Sequence, residues 1–262
     1  MPVSPQPTVL PGAEPFSHDG STDIGVLLCH GFTGSPQSMR PWAEHLRDAG
    51  FTVRVPRLPG HGTTWQEMNQ TGWPDWFTTV DAAFTELAGR CQSVFVFGLS
   101  MGGTLTLRLA ETHGAQVAGI VLVNPSVTTL RLDAKLLPVA SRLLASRPGV
   151  AGDIKKPGVT ELGYDRTPLR AANSLRELWG LVRADLGRVT APVLLLRSAV
   201  DHVVEPVNAK IVLDGVRSTD VREVVLPDSF HVATLDNDAD TIFTESVDFA
   251  QRIHKERTQQ AG

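Results

Sequence analysis

Ser100 lies in Gly98-Leu99-Ser100-Met101-Gly102-Gly103, directly after the apolar run Ser93-Val94-Phe95-Val96-Phe97. This is the Gly-x-Ser-x-Gly pattern of a nucleophile elbow, a tight strand-to-helix turn that exposes the serine oxygen. The helix that follows points its positive N-terminal end at that oxygen. A serine hydroxyl at its free pKa is a weak nucleophile. It needs a base to take its proton and a third group to hold that base in the right tautomer. His231, on a loop after the last strand-like run, is the candidate base. Asp201, just past the end of another strand-like run, is the candidate orienting acid. The chain order Ser100, Asp201, His231 is the order this class of site requires.

Attack on an acyl carbon also demands a place for the developing negative oxygen. The N–H of Met101 is one expected donor, since it follows the nucleophile directly. The other is expected from the loop after the first buried strand, where His30-Gly31-Phe32-Thr33-Gly34 places the N–H of Phe32. Two such preorganised donors contribute about 3–4 kcal/mol each to lowering the barrier. Leu99, Met101 and Phe32 would surround the serine with apolar atoms, which suits an acyl chain better than a sugar or phosphate.

The rivals have simpler roles. His18, His45, His113 and His254 read as surface residues, His61 as structural in a Gly-flanked loop, and His202 as pointing away from the site. Asp228 is the main competing acid, while Asp236, Asp238 and Asp240 fit helix capping. There is no His-Glu-x-x-His, no Cys/His cluster and no Gly-x-Gly-x-x-Gly after the first strand. Metal and dinucleotide chemistry are therefore not expected, and no cofactor is.

These residues need a rigid frame. Apolar runs at 24–29, 51–55, 93–97, 117–123, 192–198 and 221–226 read as strands, the first and fourth as strands buried on both faces. Helical spacing separates them: Trp42, Ala43, Leu46 and Ala49; then Trp76, Val80, Phe84 and Leu87; then Met101 to Thr112. Ser35 and Ser38 are candidate caps for the first helix, and Gly50 and Gly89 end the first two. Strands alternating with helices predict an α/β chain with a mainly parallel central sheet flanked by helices. The rhythm breaks over 126–190, which shows no convincing strand. One helix there, containing Leu132 to Leu144, is expected to be kinked or split at Pro138; a second runs through Leu169, Leu175, Leu178 and Leu186. We read 1–125 and 191–262 as the core, and 126–190 as a helical cap or lid over the C-terminal strand ends. Residues 1–20 read as an extended lead-in, and the chain closes with a helix from Asp238 to about Lys255.

At 262 residues, 42% hydrophobic and 20% charged, the chain has the composition of one globular domain carrying an insertion. A formal charge of −4 points away from nucleic acid. The charge is uneven: 126–190 holds 11 Lys/Arg against 6 Asp/Glu, leaving 13 against 22 elsewhere. A solvated helical face accounts for this; the sharper reading is transient contact of the cap with an anionic lipid surface. The two cysteines, Cys29 and Cys91, fit buried free thiols. With no signal-peptide pattern and no apolar stretch of membrane-spanning length, a cytoplasmic enzyme is the expectation.

Taken together, His30-Gly31-Phe32-Thr33-Gly34, Leu58-Pro59-Gly60-His61-Gly62, Gly98-Leu99-Ser100-Met101-Gly102-Gly103, Asp201-His202-Val203-Val204 and Ser229-Phe230-His231-Val232-Ala233-Thr234-Leu235 resemble the bacterial monoacylglycerol lipases and related carboxylesterases of bacilli. The likeness covers nearly the whole chain, including Gly12-Ala13-Glu14-Pro15-Phe16, and is weakest over 126–148. It implies an α/β-hydrolase fold with a small helical cap, a Ser100–Asp201–His231 triad and an oxyanion hole from the Phe32 and Met101 amides. It further implies cofactor-free hydrolysis of glycerol monoesters of fatty acids, with Glu161 as the cap glutamate at the glycerol head group. A general short-chain carboxylesterase, a thioesterase or acyltransferase, and a non-catalytic binding protein on the same scaffold are the alternatives. Dehalogenase and epoxide-hydrolase chemistry is disfavoured because it wants a carboxylate where Ser100 stands.

Overall fold

A computed structural model describes residues 8–149 and 152–261. In chain order the strands are β1 (Phe16–His18), β2 (Ser21–Cys29), β3 (Phe51–Val55), β4 (Ser93–Leu99), β5 (Val117–Val123), β6 (Ser146–Pro148), β7 (Arg166–Pro168), β8 (Val193–Ser198) and β9 (Val221–Leu226). The helices are α1 (Arg40–Asp48), α2 (Trp65–Met68), α3 (Trp73–Ala88), α4 (Met101–His113), α5 (Leu137–Leu143), α6 (Leu169–Asp185), α7 (Val207–Gly215) and α8 (Ala239–Ala261).

Seven strands form one sheet in the order β1-β3-β2-β4-β5-β8-β9. Every pairing is parallel except β1 with β3. The fold is that of the α/β hydrolases. Side-chain alternation divides each central strand between two cores. Leu27 and Cys29 of β2 and Val94 and Val96 of β4 face Trp76, Phe84 and Leu105 on α3 and α4. Val26 and Leu28, with Phe95 and Phe97, face Trp42 of α1 and Phe249 of α8. Burial on both faces is why these strands read as unbroken apolar runs. The register pairs Cys29 with Gly98, Leu99 with Val123 and Val123 with Leu196. The loops after β2, β4, β5 and β8 therefore leave the sheet at one edge.

Three local expectations change. The described part of the lead-in is not merely extended: β1 pairs antiparallel with β3, Phe16 opposite Val55. Residues 1–7 lie outside the described residues. Ser35 precedes a 3-10 turn, Pro36–Met39, and neither it nor Ser38 caps α1; Ser38 Oγ donates to Ser35 O instead. The 126–190 segment, expected to lack strands, holds the antiparallel pair β6–β7. Gly149 N–H to Asp165 O (2.8 Å) and Leu169 N–H to Ala145 O (3.0 Å) extend that ladder beyond its short strands. Three residues per strand, each strand carrying a proline, give no periodicity to detect. The helix before it is split rather than kinked, into a 3-10 turn at Leu132–Leu136 and α5, and the break falls just ahead of Pro138, which sits in the first turn of α5. Cys29 and Cys91 are both buried free thiols. No helix among the described residues is long and apolar enough to cross a membrane.

Candidate active site

Ser100 occupies the turn between β4 and α4 with φ 57° and ψ −118°, a conformation that costs a non-glycine residue energy. Two glycines permit it. A Cβ on Gly98 would overlap the carbonyl of Gly102, and one on Gly102 the carbonyl of Cys29. Backbone bonds over-determine the turn: Ser100 N–H donates to Val123 O at 3.0 Å, and Ser100 O accepts from Gly103, Thr104 and Ser126.

His231 lies on the loop after β9, buried, with Nδ1–H donating to Asp201 Oδ2 at 2.8 Å. The opposite oxygen of Asp201 accepts the N–H groups of Val203 and Val204, each at 2.8 Å. Burial opposes charge on the His231 imidazole, but the hydrogen bond and charge of Asp201, with Glu161 and Asp153 nearby, outweigh it and raise the pKa above the usual histidine value. Burial likewise favours the neutral acid at Asp201. His231 and the two loop amides overcome it and hold the carboxyl below its usual range.

Ser100 and His231 line one cavity of about 220 Å³. Among the described residues no hydrogen bond joins them directly, as is common before substrate tightens such a site. Phe32, Leu99, Leu175 and Trp179 supply apolar wall. Trp179 reaches over Ser126 Oγ with its indole N–H at 3.3 Å. Phe32 lines the cavity together with Ser100, its ring edge-on to Trp76, and Met101 opens α4. His30 fixes the loop that carries Phe32: its ring bonds Gly31 O at 3.0 Å through Nδ1 and accepts Leu58 N–H at 3.2 Å through Nε2. Burial pushes the His30 pKa down to about 4, so the ring is neutral and holds this donor–acceptor pattern. Thr33, at φ 63°, accepts Tyr164 N–H from the 126–190 segment at 3.2 Å.

Glu161 lines the same cavity. Its Oε1 fills the space where a Cβ on Gly34 would sit, so Gly34 is what lets the carboxylate approach. Burial raises the Glu161 pKa against the lowering effects of His231 and the Gly152 amide.

The rival residues separate cleanly. Asp228 pairs with Lys155 Nζ at 2.6 Å, away from His231. Asp236 is buried and accepts four backbone N–H groups, from Lys155, Lys156, Phe230 and Asn237, and so shapes the loop of His231. His61 packs edge-on to His30 and Trp76, as a structural residue does. His113 and His254 are less exposed than expected, with His113 bonded to Asp81 at 2.6 Å and His254 to Ser93 at 3.0 Å. His202 also departs from expectation: it lines the cavity and bonds Asp153 at 2.8 Å.

Sequence reading missed Asn124. At φ 44°, its Nδ2 donates to His231 O at 2.8 Å and to Ser198 Oγ at 3.0 Å, while Oδ1 accepts Ser198 N–H. An asparagine just past a buried strand was the available signal. Among the described residues no group of three His, Cys, Asp or Glu side chains is placed to hold a metal ion.

The family model described as Serine aminopeptidase, S33 matches residues 20–238, and the chain belongs to that family. It is 44% identical over 247 residues to a thermostable monoacylglycerol lipase of Bacillus sp. (strain H-257), covering 94% of this chain and 98% of that one. It is 27% identical to a carboxylesterase of Bacillus subtilis, over 92% and 97% of the two chains. A solved structure from work on the metagenome-derived lipolytic enzymes LipS and LipT superposes with a TM-score of 0.91 at 43% identity, over 94% of this chain and 100% of that one.

Proposed function

We propose that this member of the S33 family hydrolyses glycerol monoesters of fatty acids through an acyl-Ser100 intermediate. The chain is a carboxylic ester hydrolase; the proposal concerns its substrate and the division of labour among its residues. The observation that carries it is Ser100 at the head of α4, sharing a cavity of mixed apolar and polar lining with a buried His231 whose Nδ1 lies 2.8 Å from Asp201. His231 Nε2 takes the Ser100 proton as Oγ attacks the ester carbonyl. The N–H groups of Phe32 and Met101 receive the oxyanion. Collapse expels glycerol, which takes the proton from His231, and a water activated by the same histidine releases the fatty acid.

Glu161 supports the glycerol reading. A carboxylate that shares the cavity with His231, near enough to influence its charge, would be within reach of the leaving alcohol that His231 protonates. It would accept hydrogen bonds from glycerol hydroxyls. The similarity to the Bacillus sp. lipase supports the same substrate. We treat 126–190 as the cap over this cavity, since Leu175, Arg176 and Trp179 of α6 wall it. A cytoplasmic location fits the two unpaired thiols.

Comparing turnover of a monoacylglycerol, a short p-nitrophenyl ester and an acyl thioester tests the substrate. Turnover of the short ester or the thioester without turnover of the monoacylglycerol would replace the lipase reading. A serine-reactive phosphonate should label Ser100 and no other residue; folded protein without that adduct would leave only ligand binding.

A further inference from the structure

Asp153 comes from the Gly/Pro/Lys-rich loop of the 126–190 segment, far in sequence from every candidate catalytic residue. Its side chain is only 11% exposed. Oδ2 accepts the backbone N–H of His231 at 3.2 Å and that of His202 at 3.2 Å. Oδ1 meets His202 Nδ1 at 2.8 Å. The carbonyl of Asp153 also accepts Val232 N–H at 3.1 Å. One residue thus ties the loop that carries His231 to the loop that carries Asp201, whose neighbour is His202. The attachment continues next door, where Asp236 accepts the N–H groups of Lys155 and Lys156 at 2.7 and 2.9 Å.

We propose that Asp153 is a positioning residue for the catalytic dyad, a clamp from the cap that sets the Asp201 and His231 loops against each other. The consequence is geometric first. The 2.8 Å bond between Asp201 and His231 spans two loops that have no covalent reason to stay in register. Small misplacements of reacting groups carry large rate penalties. The clamp also makes seating of this part of the cap a condition for an assembled site. Its second consequence is electrostatic. The charged or titratable groups that face His231 are Asp201 after β8, Glu161 and Asp153 from the cap, and their carboxylates favour its imidazolium.

The two consequences separate in a pair of variants. Asp153→Ala removes clamp and charge together. Asp153→Asn keeps an acceptor for the two backbone N–H groups and offers its NH₂ to His202 Nδ1, so it restores the clamp without the charge. Assays use a soluble short p-nitrophenyl ester, which makes the result independent of the glycerol substrate. The inference does rest on the triad assignment, so wild-type Ser100 is titrated in parallel with a phosphonate. Failure to label it would overturn that assignment rather than the clamp. We expect kcat of Asp153→Ala to fall between about 10- and 100-fold with little change in KM, and Asp153→Asn to recover most of it. The acid limb of kcat/KM should move to lower pH in both variants, because loss of a nearby negative charge lowers the His231 pKa. Wild-type kcat in Asp153→Ala, a fall that Asp153→Asn does not rescue, or an acid limb that stays in place each overturns the proposal. If Asp153→Ala does not fold, Asp153→Ser, whose shorter side chain cannot span both backbone N–H groups and His202, takes its place, and a wild-type kcat there overturns the proposal.

Discussion

Asp201 divides its carboxylate: Oδ2 receives His231 Nδ1–H at 2.8 Å, and Oδ1 anchors the Val203 and Val204 amides at the same distance. Asp201→Asn therefore has a defined outcome. Its amide oxygen retains the two loop bonds, while its NH₂ faces His231 Nδ1 and enforces the wrong tautomer. We expect kcat to fall on the order of 10⁴-fold with the melting temperature close to wild type. Asp228→Asn, whose carboxylate pairs with Lys155, should stay near wild type. Measuring both variants on one ester distinguishes the two acids.

In the proposed mechanism His231 must be neutral to accept the Ser100 proton. Its pKa is raised, so kcat/KM should climb with pH along a limb above the ordinary histidine value of about 6.5. Glu161→Gln removes one of the charges responsible and should move that limb to lower pH. The same variant should raise KM for a monoacylglycerol and leave KM for a p-nitrophenyl ester nearly unchanged. Full pH profiles on both substrates check this.

Asn124 holds the end of β5 to Ser198 and to the carbonyl of His231. In Asn124→Ala the buried Ser198 N–H and the His231 carbonyl lose their partner, and alanine inherits φ 44°. Unpairing buried polar groups costs about 1–3 kcal/mol each. We expect a loss of about 2–3 kcal/mol in urea unfolding together with a lower kcat.

Glu111 supplies a pH effect on stability away from the site. Its side chain is fully buried against Arg108 at 2.9 Å, with Oε1 unpartnered. Burial, partly offset by Arg108, pushes its pKa up to about 7. A raised folded-state pKa on an acid means that the folded protein binds the extra proton. This contribution to stability is therefore fully present below the unfolded value of about 4.5 and is lost as pH rises through about 7. Glu111→Gln should flatten that dependence and melt higher than wild type at pH 8. Thermal melts of both proteins across this range test the sign.

The central frame was legible because its physics is local. β2 and β4 are buried on both faces, so they read as apolar runs, and the glycines around Ser100 are dictated by overlap with Cys29 and Gly102. Ser100, Asp201 and His231 each follow a strand, and strand ends are visible in sequence. Asp153 and Asn124 were not legible because what they do is non-local. Asp153 meets His231 across 78 residues and Asn124 meets it across 107, and no spacing rule encodes such pairs. β6 and β7 failed for the opposite reason: at three residues each they are too short to show a period.

The outer surface of the 126–190 segment carries apolar side chains that the fold leaves unburied: Leu130, Leu132, Leu136, Val139, Leu143 and Leu144 are 59–77% exposed. Arg131, Lys135 and Arg142 are interleaved with them, while Arg131, Ala134 and Leu137 also line the cavity. If this face meets an anionic lipid surface, its leucines would insert and Lys135 and Arg142 would face phosphate, and that contact is testable. Withdrawing one exposed leucine from such contact costs about 1.5 kcal/mol, roughly tenfold in partitioning. Leu136→Asp and Leu143→Asp should therefore each weaken binding to vesicles containing phosphatidylserine by about that factor and slow hydrolysis of long-chain monoacylglycerol within them. Both positions are exposed, so stability should change by less than about 0.5 kcal/mol, and turnover of a soluble short ester should match wild type. Equal losses on the soluble and the vesicle-borne substrate would place the leucines in the folding of the 126–190 segment rather than at a lipid surface.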